Sequence, residues 1–195
     1  MIIGVDLDDV LLKTSNTIVS MLERNLGVEL DWENISDYSI SKSFDLDKNI
    51  VEQHIKLALE SDIIEPEPNA VKIFNWISDL FPTFIVSRRE HYLYDHTLKV
   101  LDKLGFSAYR LITFHDRDNG SKPKYKDKDE IVNKYGIELF VEDRPSTIRN
   151  IYNNTGSEIL IYDKPWNKIF MDDSRIRRVH SWTEIREYIL WRTNG

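Results

Sequence analysis

Three features of the sequence predict an α/β fold built on a doubly wound parallel sheet. Short apolar runs end in acids or hydroxyls, helical patterns alternate with them, and one long segment interrupts the alternation after the first run. Ile2, Ile3, Gly4 and Val5 form that first run. Asp6 stops it, as polar residues stop a buried parallel strand where it reaches the sheet edge. Runs at 83–86, 110–113, 138–141 and 158–162 repeat the pattern. Between them Val71, Phe74 and Ile77 recur at about one helical turn, and so do Leu93, Val100, Leu101 and Leu104, closed by Gly105. Pro145 stands where a first helical turn accepts proline, opening a helix over 146–153, and a last helix is expected from about 183 to 191.

More than seventy residues separate the first strand from the second, too many for one crossover helix. Two helical patterns lie within them: Ile18, Leu22 and Leu26 before Gly27, then Ile50, Val51, Ile55 and Leu59. Residues 14–66 are therefore expected to form a small helical cap inserted after the first strand. Residues 1–13 and 67–195 would make the catalytic core, with Pro66 and Pro68 marking the return. Residues 116–130 read as a long polar loop.

Composition narrows the function. With 195 residues, 41% hydrophobic and 30% charged, the chain suits one compact, well-cored domain carrying an insert. It has no cysteine, which rules out disulfides, thiolate catalysis and cysteine-held zinc or iron–sulfur sites, and fits a reducing compartment. No stretch approaches the roughly 20 apolar residues of a membrane helix, and the first apolar run is too short for a signal peptide. A cytoplasmic protein with no membrane partner is expected. The formal charge of −7 argues against extended nucleic acid as a partner and favours a small phosphorylated metabolite, with the oligomeric state open. Lys122, Lys124 and Lys126, and the cluster of Arg175, Arg177 and Arg178, read as solvated surface. The five histidines (His54, His91, His96, His115, His180) show no metal-ligand spacing.

Ligands of open α/β sheets bind outside the carboxyl ends of the strands. Asp6, Asp8 and Asp9 follow the first strand at that edge, and residues two apart in extended chain face the same way. Such packed acids repel one another unless a cation sits among them, and all-oxygen ligation suits Mg²⁺. A solvated turn or a helix cap is the plainer reading, above all for Asp9. Other strand ends add to the set. Ser87 ends the second strand, and Arg88 and Arg89 follow it with fork-shaped cations suited to phosphate oxygens. Glu142 and Asp143 end the fourth, and Lys128 begins the helix before it. Nucleophile, metal, phosphate cradle and neutralising cation together make the equipment for moving a phosphoryl group.

The order Asp6-Leu7-Asp8-Asp9-Val10, Ser87, Lys128, Glu142-Asp143 resembles the four motifs of the haloacid-dehalogenase superfamily of phosphohydrolases. More narrowly, the chain looks like the cytosolic 5′(3′)-deoxyribonucleotidase type and bacterial relatives provisionally called nucleotidases. The likeness includes Val-Ser-Arg-Arg-Glu-His (86–91), Phe-Val-Glu-Asp-Arg-Pro (140–145) and Ile-Tyr-Asp-Lys-Pro-Trp-Asn (161–167). It implies a Rossmann-like core and a phosphomonoesterase working through an aspartyl-phosphate. Asp6 would be the nucleophile, Asp8 the general acid and then base, Ser87 a phosphate ligand and Lys128 the charge stabiliser. Mg²⁺ would be held by Asp6, the Asp8 carbonyl and the acids Glu142 and Asp143, with the choice between the last two open. Three positions depart from the pattern: Asp9 stands where glycine is common, Arg88 replaces a small residue, and the fourth motif is Glu-Asp rather than Asp-Asp.

A nucleoside monophosphate is the leading substrate, with sugar phosphates and nucleic-acid end phosphates as alternatives. Trp32, Tyr38 and Phe44 in the cap, and Trp166 after the fifth strand, are candidates to meet a base, though each also suits ordinary core. A different class, a phosphoacceptor or binding module without turnover, shares the acids, hydroxyl and lysine. A receiver domain, however, carries its phosphorylated aspartate at the third strand, which here runs on through Thr113, Phe114 and His115 before Asp116.

Overall fold

The computed structural model describes residues 1–35, 37–114 and 123–194. Lys122, His115 and Asp116 lie outside the described residues. Among the described residues six strands make one sheet: β1 (Ile3–Asp6), β2 (Thr83–Ser87), β3 (Tyr109–Thr113), β4 (Leu139–Glu142), β5 (Glu158–Tyr162) and β6 (Ile176–Val179). Their order is β3-β2-β1-β4-β5-β6 and every pairing is parallel. The chain winds outward from β1 on one side, then returns to wind outward through β4 on the other. The gap between β1 and β4 is thus the topological switch point, where such sheets bind ligands.

Side-chain alternation sends the strands' apolar residues into two cores. Ile3, Val5, Leu139, Val141, Leu160 and Tyr162 pack against α4 (Ala70–Leu80), α5 (Tyr94–Leu104) and α8 (Trp182–Asn194). Val86, Phe140, Ile159 and Ile161 pack on the opposite face against α6 (Lys128–Tyr135) and α7 (Pro145–Asn154). The same period of two puts Gly4 and Asp6 on the Phe140 face of the sheet, and Glu142 with them. Gly4 leaves room for the Phe140 ring: a Cβ there would lie 2.5 Å from its Cδ2, so the ring would have to shift.

β6 is the element the sequence reading omits. Its apolar Ile176 and Val179 are buried, but Arg177 and Arg178 between them hide the strand pattern. Arg178 is no solvated charge. It donates to Asp163 Oδ1 and Asn167 Oδ1 at 2.7 Å each, and to the carbonyls of Asn167 at 3.0 Å and Phe170 at 2.8 Å.

Between β1 and α4 the chain forms α1 (Thr14–Leu26), α2 (Ile40–Ser43) and α3 (Lys48–Leu59). Ile18, Val19, Leu22, Ile35, Ile40, Val51 and Ala58 give this insertion a core of its own. Its two ends run side by side: Lys13 N donates to Glu65 O at 2.9 Å, Glu67 N to Leu11 O at 2.8 Å, and Leu12 bridges Pro66. Among the described residues, no helix is long and apolar enough to cross a membrane.

Candidate active site

The first strand stops where its backbone turns sharply. Leu11 N and Leu12 N both donate to Leu7 O at 3.0 Å, and Asp9 N donates to Leu12 O at 2.7 Å. This turn puts Asp9 in the left-handed region (φ 61), where a side chain is tolerated less readily than in glycine. Compensation comes from Ser15, whose N and Oγ donate to the Asp9 carboxylate at 2.8 and 2.5 Å. Lys13, the residue capping α1, supplies no side-chain acceptor, so Asp9 satisfies that helix start from outside. Burial pushes the Asp9 carboxyl up to about 6, against the pull of Lys164 and Ser15. Trp182 Nε1 ties the turn to α8 through Val10 O at 2.9 Å.

Asp6, at the end of β1, is buried and accepts from Leu7 N at 2.6 Å. Lys128, the first residue of α6 and almost wholly enclosed, places its ammonium 2.6 Å from Asp6 Oδ1 and 2.9 Å from Glu142 Oε2. The edge of the Gly4–Phe140 contact reaches this group too: Nζ lies 5.6 Å from the Phe140 ring centroid. Asp127 caps the helix by accepting from Lys128 N at 2.8 Å. Burial opposes the Lys128 charge, but Asp6 and Glu142 outweigh it and hold the ammonium above the ordinary lysine range. Burial, then the neighbouring Glu142 charge, holds the Asp6 carboxyl well above the usual range despite Lys128.

Asp6, Glu142 and Asp143 each offer an oxygen within 4.8 Å of the others, at the switch point. Glu142 is already committed: Oε2 faces Lys128, and Oε1 accepts from Asp143 N at 3.1 Å and Arg144 N at 2.9 Å. Asp143 differs. Its Oδ2 accepts from Trp166 Nε1 at 2.9 Å, while the buried Oδ1 has no hydrogen-bond partner among the described residues. Burial, then Glu142, Asp6 and Asp9, hold its proton affinity well above normal. An orphaned carboxylate oxygen among acids costs free energy unless a cation joins it. Three hard oxygen donors fit Mg²⁺ in character.

The remaining expected residues fall into place unevenly. Ser87 is buried at the end of β2, and its Oγ accepts from Arg89 N at 3.1 Å. Arg89 is turned to a carboxylate rather than left free: Nη2 donates to Asp8 Oδ1 at 2.8 Å and Nε to Oδ2 at 3.2 Å. Thr14 Oγ1 adds a bond to Asp8 Oδ1 at 2.6 Å. Burial works against the Asp8 charge, yet Arg89 lowers its carboxyl below the ordinary value. Arg88 pairs with Asp127 and lies 4.6 Å over the Phe114 ring, so it braces the start of α6. Lys124 and Lys126 remain exposed.

A cavity of about 320 Å³ opens from Asp8 into the insertion, walled by Ile18, Ile40, Val51, Ile55 and Leu59 with Tyr38 at its edge. Trp32 and Phe44 do not line it. Both pack in the insertion's own core, and Trp32 also lines a larger cavity of about 840 Å³ that touches none of Asp6, Ser87, Lys128, Glu142 or Asp143. Trp166 is buried, its ring edge-to-face with Trp32 at 5.5 Å and Tyr38 at 6.0 Å. Sequence reasoning named Trp166 for a base but missed its bond to Asp143, and it missed Asn167 and Thr14 altogether. Asn167 Nδ2 donates to the Asp143 and Tyr162 carbonyls at 2.9 Å each. Its only signal was its place in the Asp-Lys-Pro-Trp-Asn run.

A model of the family described as "5' nucleotidase, deoxy (Pyrimidine), cytosolic type C protein" matches residues 1–194. YqfW of Bacillus subtilis (strain 168), whose name carries a provisional nucleotidase label, is 22% identical over 212 residues, covering 99% of this chain and 94% of that protein. Among solved structures, a haloacid dehalogenase-like family hydrolase from Streptococcus pneumoniae superposes with a TM-score of 0.64 at 16% identity, covering 96% of this chain and 97% of that one. A haloacid-dehalogenase-type hydrolase from Bacillus subtilis, YfnB, solved with magnesium bound, gives a TM-score of 0.61 at 12% identity, with the same two shares of 96% and 97%. At those identities the superpositions speak for the fold.

Proposed function

The chain belongs to the 5′ nucleotidase, deoxy (pyrimidine), cytosolic type C family and is a phosphoric monoester hydrolase, and from that premise we propose that it hydrolyses nucleoside monophosphates in two steps through a phosphoryl group carried on Asp6. One observation carries the reading: Asp6, Glu142 and Asp143 converge at the switch point with the Lys128 ammonium bridging two of them.

In the first step an Asp6 carboxylate oxygen bonds to phosphorus as the ester P–O bond breaks. Asp8 gives its proton to the departing alkoxide oxygen. In the second, the ionised Asp8 takes a proton from water, whose oxygen bonds to phosphorus, and the Asp6–phosphorus bond breaks. Arg89 favours the ionised Asp8 needed for this second step. An incoming phosphate dianion opposes that field and favours the protonated form needed for the first. Lys128 offsets the charge of the transferring group and, 2.6 Å from Asp6 Oδ1, pulls toward the ionised form that attacks, against burial and Glu142, and Ser87 is the phosphate ligand. Bound Mg²⁺ would neutralise phosphoryl charge and hold nucleophile and substrate together. Asp6, Asp143 and the Asp8 carbonyl would be its direct ligands, because Glu142 spends both oxygens on Lys128 and backbone N–H groups while Asp143 Oδ1 is free to bind.

Residues 14–66 act as a cap whose cavity beside Asp8 receives the leaving group. The likeness to a cytosolic family supports action in the cytoplasm. The test is phosphate release from a panel of nucleoside monophosphates and sugar phosphates, with Mg²⁺ and with EDTA. Activity should need the metal, vanish in Asp6→Asn, and leave a phosphoryl mass gain on Asp6 in Asp8→Asn. Full turnover by Asp6→Asn would sink the covalent route, and a preference for sugar phosphates would sink the nucleotide assignment.

A further inference from the structure

One indole touches both the acidic centre and the inserted helices. Trp166 sits between β5 and β6, on the sheet-bearing part of the chain. Yet it is a member of the insertion's hydrophobic core, whose other members all fall between Ile18 and Ala58. Its ring meets Trp32 at 75° and Tyr38 at 87°, both edge-to-face. Its Nε1 donates to Asp143 Oδ2 at 2.9 Å, leaving Oδ1 of the same carboxylate buried and without a partner among the described residues.

A carboxylate on β-carbon rotates freely unless one oxygen is pinned. With Oδ2 pinned by the indole, Oδ1 has one direction left. The backbone behind it is held as well, because Asn167 Nδ2 grips the Asp143 carbonyl at 2.9 Å and Arg178 grips Asn167 from β6. We propose that Trp166 is a positioning residue that aims Asp143 at the metal and links magnesium affinity to the seating of the inserted helices. The inference rests on Asp143 being a metal ligand, as set out above. Trp32 and Tyr38 lie on the segment joining α1 to α2, so a shift of the inserted helices moves both, and the indole packed against them follows. Reciprocity then requires that a metal held better by the seated arrangement also favours that arrangement.

The test uses the full chain without substrate. Mg²⁺ binding is measured by calorimetry for the wild type, for Trp166→Phe, and for a protein carrying 3-benzothienylalanine at position 166. The last keeps the fused ring and deletes only the N–H, so it remains informative should Trp166→Phe fold poorly. Partners that orient metal ligands typically contribute about 10- to 100-fold in affinity, and a loss of that size is expected in both. Trp32→Leu, which touches the indole rather than the acids, should weaken binding several-fold, and the Mg²⁺-induced rise in Tm should shrink in parallel. Wild-type affinity in the benzothienyl protein would overturn the positioning role. Weakened binding there with unchanged binding in Trp32→Leu would overturn the link to the helices. A wild type that binds no Mg²⁺ would instead overturn the metal reading itself, and this inference with it.

Discussion

Arg89 and Asp8, 81 positions apart in the chain, form a two-pronged pair: Nη2 to Oδ1 at 2.8 Å and Nε to Oδ2 at 3.2 Å. A guanidinium fork fixes a carboxylate in plane and in direction, which a lone ammonium does not. The sequence alone suggests a phosphate ligand at Arg89, and the two roles predict different kinetics. Arg89→Met should lower kcat about tenfold or more, with KM nearly unchanged, because Asp8 loses its orientation. A uniform rise in KM across all phosphate esters, with kcat preserved, would return Arg89 to the phosphate.

The cavity beside Asp8 separates aromatics that look alike in sequence. Tyr38 lines it and Phe44 does not. Stacking on a base is worth about 1–3 kcal/mol, or roughly ten- to hundredfold. Tyr38→Leu should therefore raise KM for a nucleoside monophosphate while leaving p-nitrophenyl phosphate nearly untouched. Phe44→Leu should cost stability and keep the ratio of the two substrates. Steady-state kinetics on both variants decides it, and an unchanged ratio in Tyr38→Leu would remove the tyrosine from substrate recognition.

Gly4 makes room for Phe140, and Phe140 lies beneath the Lys128 ammonium. Gly4→Ala should cost about 1–3 kcal/mol in denaturant unfolding, the usual range for overpacking. It should also lower kcat more than it changes KM, because the displaced ring moves the lysine. Wild-type stability would show that the ring has space to yield.

Away from the site, Glu158 joins the sheet to the last helix through Arg192 Nε at 2.9 Å and Tyr188 Oη at 2.6 Å. Arg192, then Tyr188, lower the Glu158 carboxyl against the effect of burial, while the Tyr188 phenol is pushed up to about 12 by burial and by Glu158. A carboxyl lowered in the folded state stabilises fully above the unfolded value of about 4.3 and loses that contribution as pH falls through the folded one. The stability difference between wild type and Glu158→Gln should thus be constant near neutral pH and shrink on acidification. Parallel unfolding curves at all pH values would show the ion pair to be inert.

Five of the six strands and the helices beside them are legible because buried parallel strands are continuous apolar runs. β6 is not, because an edge strand needs only Ile176 and Val179 inside and leaves Arg177 and Arg178 to other tasks. The acids at the strand ends, and Lys128 at the start of the helix before β4, can be placed from the sequence, since the sheet edge decides where they go. Their partners cannot. Trp166 and Asp143 are 23 residues apart, on loops whose meeting is set by how β4 and β5 lie in register, and no periodicity encodes that distance. Asp9 is a milder case. Its fit to a turn that favours glycine depends on Ser15, six residues on, reaching back to it.

The inserted helices enter and leave through a single doorway, where Leu11–Lys13 and Glu65–Glu67 run alongside each other. For the sheet, whatever lies beyond that doorway is a closed detour of arbitrary length. Closing a longer or shorter detour changes the entropy only with the logarithm of its length, about 0.6 kcal/mol per doubling. A lineage can therefore exchange the whole excursion at little cost to the sheet, and with it the walls of the cavity beside Asp8, while Asp6, Ser87 and Glu142 keep their places at the strand ends. One ring registers such an exchange: Trp166, packed edge-to-face on Trp32 and Tyr38, loses that cover unless the new segment supplies it.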